Sequence, residues 1–140
     1  MDAARYELFD HTADLGLRMF APTLGELFAV AASGLTAMVV DFPANIRPAV
    51  ERRFGIVGSD REYLLFDWLK ALLFAFEDDR YVPATCEVVV TDTGLEATVR
   101  GEAFDPTRHG LGREVKAITY HGLTVERTAD GWRAEVIVDI

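Results

Sequence analysis

Apolar and polar residues alternate with a period of two along residues 15–21, where Leu15, Leu17 and Met19 would share one face, and this pattern predicts a strand. Residues 5–9 read as a second short strand, which leaves Asp10-His11-Thr12-Ala13-Asp14 as a polar turn presented at a strand edge. The period then becomes helical. Thr23 with Glu26 three residues later has the spacing of a capping box, and Leu24, Leu27, Phe28, Ala31, Leu35 and Met38 recur at helical intervals, predicting a helix to about Val40. Ser59 with Glu62 repeats the device ahead of Leu65, Trp68, Leu69, Leu72 and Phe76, the apolar stripe of a second helix.

Between these helices residues 50–57 read as a strand, while Pro43 and Pro48 exclude regular helix from the connection. After the second helix, residues 86–90 and 95–100 are expected to pair across 91–94, and residues 119–127 to pair with 132–140 across Ala129-Asp130-Gly131. Two amphipathic helices and several half-buried strands joined by hairpins imply an α+β fold: a two-layer sandwich, with an antiparallel or mixed sheet carrying both helices on one face. No repeat, low-complexity tract or shift in composition divides the chain, so residues 1–140 are read as a single domain.

Composition narrows the function. Half the residues are hydrophobic, with nine Phe and two Trp, enough for a packed core. The formal net charge of −9 argues against strong direct nucleic-acid binding, whose affinity comes mostly from Lys and Arg neutralising phosphates. It suits docking against a basic protein partner, where charge complementarity speeds encounter and fixes orientation. Cys86 is the only cysteine, the chain opens on charged and polar residues instead of an apolar leader, and Asp67 and Lys70 interrupt its most apolar stretch. The expectation is a cytoplasmic protein with no membrane role.

Candidate chemistry gathers at a few places. His11 and Asp14 put an imidazole and a carboxylate in one short turn, although Asp and Thr in turns also bond their own backbone. Asp139 and the carboxylate of Ile140 end a predicted strand; with Asp14 nearby, three negative groups would repel by about 4 kcal/mol per pair at 4 Å in an effective dielectric near 20. A divalent cation, Lys116 or both could compensate, and hard oxygen donors favour Ca²⁺, Mg²⁺ or Mn²⁺ over zinc. Glu114 to His121 brings a lysine, a tyrosine and a histidine to a strand entry, with Glu114, Lys116 and Ile118 expected on one face. His109-Gly110-Leu111-Gly112 lacks the Gly-Lys-Ser/Thr of a phosphate loop, and Cys86, inside a predicted strand with no neighbouring base, reads as core.

Taken together and in order, His11-Thr12-Ala13-Asp14, Ser59-Asp60 leading into Leu64-Leu65 and Trp68-Leu69, Gly101-Glu102, the block Val115-Lys116-Ala117-Ile118-Thr119-Tyr120-His121 and Asp139-Ile140 resemble the archease family over essentially the whole chain. The resemblance implies a small α+β protein without complete catalytic machinery of its own. Such a protein activates the tRNA-splicing RNA ligase, which uses GTP and Mn²⁺ to guanylylate its own histidine; the helper promotes that step and so permits multiple turnover. It further implies a divalent metal ion held by Asp14, Asp139 and the Ile140 carboxylate, with Lys116 as an essential residue in partner activation. The related alternative is a chaperone or modulator of a tRNA-modifying enzyme such as a cytosine methyltransferase.

Overall fold

The computed structural model describes residues 4–140. Their elements are β1 (Arg5–His11), β2 (Asp14–Ala21), α1 (Leu24–Val39), β3 (Val50–Val57), α2 (Arg61–Asp79), β4 (Tyr81–Thr91), β5 (Gly94–Ala103), α3 (Pro106–His109), β6 (Ala117–Ile118), β7 (Thr124–Thr128) and β8 (Gly131–Asp139). Thr23 caps α1 as its spacing predicts, its side chain accepting from the Glu26 N–H at 3.2 Å. At α2 the cap is Asp60 and not Ser59: the Asp60 carboxylate accepts from the N–H groups of Glu62 and Tyr63. A charged acceptor at a helix N-terminus also meets the positive end of the helix dipole, which is why Asp displaces the adjacent Ser. Arg80 ends α2 with a φ of 56°, in the left-handed conformation.

The fold is α+β and the strand pairing antiparallel throughout, but the expected single sheet is divided in two. A five-stranded sheet runs β1-β2-β8-β6, with β7 also on β8; a three-stranded sheet runs β3-β5-β4. The division follows from α1. Its buried residues Leu27, Phe28, Ala31, Ala32, Gly34, Leu35, Thr36, Met38 and Val39 occupy far more than one stripe. A helix apolar over that much of its circumference must be covered on more than one side. Accordingly α1 packs against β2, β1 and β8 of the large sheet and against β4 of the small one. At two glycines it comes closest: a side chain at Gly34 would strike Leu17, and one at Gly25 would strike the Val88 carbonyl. The Trp68 side chain, fully buried on α2, donates to the Phe28 carbonyl at 2.9 Å and ties the two helices together.

Three strand boundaries differ from the sequence reading. The β4–β5 hairpin is longer, because the ladder passes Pro83 through a register shift between Pro83 and Thr85, where a proline without an N–H is tolerated. The strand expected from residue 119 begins only at Thr124; Gly122 at φ 65° and the Leu123 N–H on the Tyr120 carbonyl make a turn there, leaving β6 as a separate two-residue piece. Lys116 therefore lies outside regular strand; Glu114 and Lys116 are exposed and Val115 buried as alternation predicts, but Ile118, expected on the face of Glu114 and Lys116, is buried, so the alternation breaks there. The first hairpin is also tighter than expected. Its ladder continues to the pair His11–Asp14 and only Thr12 and Ala13 turn, with β-branched Thr12 at a φ of 50° that such residues seldom adopt.

A polar knot that sequence reading missed pins the loop after β5. Glu102 accepts a two-pronged contact from Arg108 at 2.8 and 2.9 Å, the Arg47 backbone N–H at 2.8 Å and the ring of His109 at 2.9 Å. His109 is wholly buried. Its Nδ1 accepts from the Asp105 backbone N–H at 2.9 Å, so Nε2 carries the proton and donates to Glu102. Asn45 completes the knot by exchanging bonds with the backbone and side chain of Arg108.

No helix among the described residues is long and apolar enough to cross a membrane. Cys86 packs against the core from β4, and burial pushes its thiol pKa up to about 12. Because the thiolate is the nucleophile, native protein at neutral pH is expected to react with iodoacetamide far more slowly than urea-unfolded chain. Equal rates in the two states would show that β4 opens readily.

Candidate functional site

The large sheet is polar on one side and apolar on the other. Leu15, Leu17 and Met19 of β2 pair with Val138, Val136 and Ala134 of β8, and all six are buried in the core. The alternate positions carry Arg18, Phe20, Arg133 and Glu135, with the Arg18 guanidinium bonded to Glu135 at 2.9 Å. Gly16 lies on this outer side, where the Phe9 ring occupies the space a side chain would take.

Strand register brings the sequence-predicted residues to one edge of this sheet. Leu15 pairs with Val138, so Asp14, one step before it, and Asp139, one step after its partner, end adjoining strands. Alternation puts both carboxylates on the outer side with Gly16 and Ile137. On the other flank of β8, Ala117 pairs with Asp139, and the Lys116 N–H donates to the Asp139 carbonyl at 2.7 Å. Ile140 follows directly. Asp14, Lys116, Asp139 and Ile140 thus meet at the ends of three neighbouring strands, although they are 126 positions apart at the extremes of the sequence.

The two histidines also meet here. His11 Nδ1 stands 3.8 Å from Asp14 Oδ2, too long for a hydrogen bond, and the His11 and His121 ring centroids are 5.4 Å apart. His11 Nδ1 is buried without a hydrogen-bond partner, a condition that normally costs about 1–3 kcal/mol. Among the described residues no group of three or more His, Cys, Asp or Glu side chains is arranged to hold a metal ion. What the edge offers is two carboxylates and an orphaned imidazole nitrogen beside Asp14. An oxygen-rich set of that kind fits a hard divalent cation that keeps part of its water shell, and does not fit a closed zinc site.

The chain matches known proteins along nearly its full length. Residues 6–140 match the model of the Archease protein family (MTH1598/TM1083). Proteins named archease from Methanosarcina acetivorans and Methanopyrus kandleri are 36% and 37% identical, over 97% and 96% of this chain and 96% and 99% of their own lengths. The solution structure of protein 1598 from Methanobacterium thermoautotrophicum superposes with a TM-score of 0.76 at 31% identity, covering 96% of this chain and 98% of that one. A crystal structure from Thermotoga maritima, described as an archease and possible chaperone, shares the fold at a TM-score of 0.66 and 21% identity, over 94% of each chain. This protein belongs to the archease family.

Proposed function

We propose that the chain is a metal-dependent protein cofactor of a tRNA-splicing RNA ligase, promoting guanylylation of the ligase and hence its repeated turnover. One observation carries this reading: Asp14, Asp139, Ile140 and Lys116 converge at the ends of three adjoining strands. Family membership supports it. An exposed edge with concentrated negative charge is suited to entering a basic cleft, and the net charge of −9 favours that encounter over one with RNA.

The residues divide the work. Asp14 and Asp139, with Ile140, would hold the cation; when bound, it would supply positive charge to offset the negative charge developing on the leaving pyrophosphate. The Lys116 backbone bond to Asp139 fixes the segment on which the exposed ammonium is presented, so that the ammonium reaches a phosphate or steadies the carboxylates. His11 stands beside Asp14, and the His121 ring packs near that of His11. Charge set in place beforehand lowers a barrier without reorganisation during the step.

The test is ligation by a purified ligase with RNA in excess, with and without the chain. Product beyond one equivalent is expected only with the chain; equal yields in both arms refute the proposal. In parallel, the chain alone with Mg²⁺ or Mn²⁺ is expected to leave nucleotides and RNA ends unchanged. Intrinsic turnover would make it an enzyme.

A further inference from the structure

Next to the carboxylate edge, the turn after β6 lays Tyr120 on helix α2. Its ring stacks on Phe66 with centroids 3.9 Å apart and planes 13° from parallel, and Tyr63 meets it edge-on at 5.5 Å. Phe66 is buried, but Tyr63 and Tyr120 are 59% and 56% exposed. With Glu62 and Leu123 they border an open cleft of about 420 Å³. Two large rings held rigidly in the open are unusual for a surface that needs only to be soluble, and interfaces concentrate Tyr at their centres.

Among the described residues, five rings carry one of the chain's own guanidinium groups. Arg5 lies over Phe20 at 4.0 Å, Arg18 over Phe9 at 4.5 Å and Arg52 over Tyr81 at 4.7 Å; Arg61 and Arg127 both approach Trp132, at 5.0 and 5.4 Å. Among the described residues no guanidinium covers Tyr63 or Tyr120; Lys70 reaches only Phe66, at 6.0 Å. Glu62 adds a carboxylate at the rim. The shelf is continuous with the site already described, since His121 follows Tyr120 and its ring neighbours His11, which faces Asp14.

We propose that the Tyr63–Tyr120 shelf docks an arginine side chain of the protein partner, the guanidinium stacking on the rings while Glu62 accepts its hydrogen bonds. A planar cation suits this combination, because it can stack and donate at once where an ammonium offers a point charge. Bases of single-stranded RNA also stack on tyrosines, but Glu62 at the rim and the chain's net charge of −9 repel their phosphates. The identity of the partner rests on the ligase reading above; the chemistry of the shelf does not.

Two measurements separate those levels. In the first, ring resonances of Tyr63 and Tyr120 are followed by NMR as millimolar Gly-Arg-Gly-Arg-Gly is added, against the same peptide with citrulline and against a short oligouridylate. Shifts of both rings with the arginine peptide alone are expected; no arginine-dependent shift, or a larger response to the oligouridylate, overturns the proposal. In the second, ligase binding is measured for Tyr63→Ala, Tyr63→Phe and Glu62→Gln. Tyr63 is exposed, so its removal leaves the fold intact, and binding is expected to weaken at least tenfold for Tyr63→Ala, severalfold for Glu62→Gln and hardly at all for Tyr63→Phe. Unchanged binding by Tyr63→Ala sinks the shelf as the docking point while the ligase reading stands. Failure of the wild-type chain to bind sinks the ligase reading, and the peptide result then decides the shelf.

Discussion

Replacing Glu102 by alanine is expected to lower the melting temperature by roughly 10 °C. The carboxylate is bound by Arg108, by the Arg47 backbone and by the His109 ring, and its side chain is only 13% exposed. Its loss leaves the His109 Nε2–H without an acceptor inside the protein, at zero exposure, and removes the two-pronged partner of Arg108, which keeps only Asp105 and the Asn45 carbonyl. An unsatisfied buried donor costs about 1–3 kcal/mol, and each lost bond to a charged group a comparable amount, so about 3 kcal/mol is a modest total; at this chain length each kcal/mol moves the midpoint by roughly 3 °C. Differential scanning calorimetry measures it directly, and a shift below about 2 °C would mean that the knot holds nothing together.

The same group predicts an acid limb to stability. Hydrogen bonds from Arg108 first, and from the Arg47 backbone next, hold the Glu102 carboxyl down at about 2 against an ordinary value of 4.5. A depressed carboxylate stabilises the folded state fully above its unfolded value and loses that contribution as pH falls toward the folded one. Wild type is therefore expected to lose stability between about pH 5 and pH 2. The Glu102→Gln variant, with nothing to titrate at this position, should show a shallower slope in that window. Parallel slopes would assign the acid limb to other carboxylates.

Elements whose causes are local are legible from local signals. Thr23 and Glu26 mark the start of α1, residues 50–57 are β3 as the pattern predicts, and the first hairpin differs only by a ladder that continues to His11 and Asp14. The convergence of Asp14 with Asp139 is different in kind, since it depends on β2 pairing with β8 across the whole length of the chain. Periodicity supplies the strands but not their order, and there the family resemblance carried the inference. The division into two sheets escaped for a related reason: the breadth of the apolar surface on α1 was readable, but not that it would separate β4 from β2. The Glu102 knot had one overlooked signal. Asp105 followed by Pro106 is a cap and first-position pair that announces the short α3, and with it the burial of His109. Gly101-Glu102 then makes sense as a unit, because a side chain at Gly101 would strike the Val82 carbonyl while Glu102 gathers the loop.

Exchanging Asp14 and Asp139 for asparagine is expected to abolish multiple-turnover stimulation of the ligase while leaving the melting temperature equal to that of wild type or slightly higher. Among the described residues neither carboxylate accepts a hydrogen bond, and like charges at facing strand positions destabilise a sheet, so removing them relieves repulsion instead of breaking structure. That opposition between function and stability distinguishes a ligand-holding edge from a structural one; Lys116→Ala, whose backbone bond survives the change, should lose stimulation with the fold kept and no gain in melting temperature. Divalent ions supply an independent readout. A ligand bound by the folded state alone adds about 2.7 kcal/mol at a hundred times its Kd, so wild type should melt roughly 8 °C higher in saturating Ca²⁺, Mg²⁺ or Mn²⁺ than in chelator. The Asp14→Asn, Asp139→Asn double variant should show no such rise. If it does, the cation sits elsewhere; if wild type shows none while stimulation still requires both aspartates, the carboxylates act on the partner directly and hold no ion of their own.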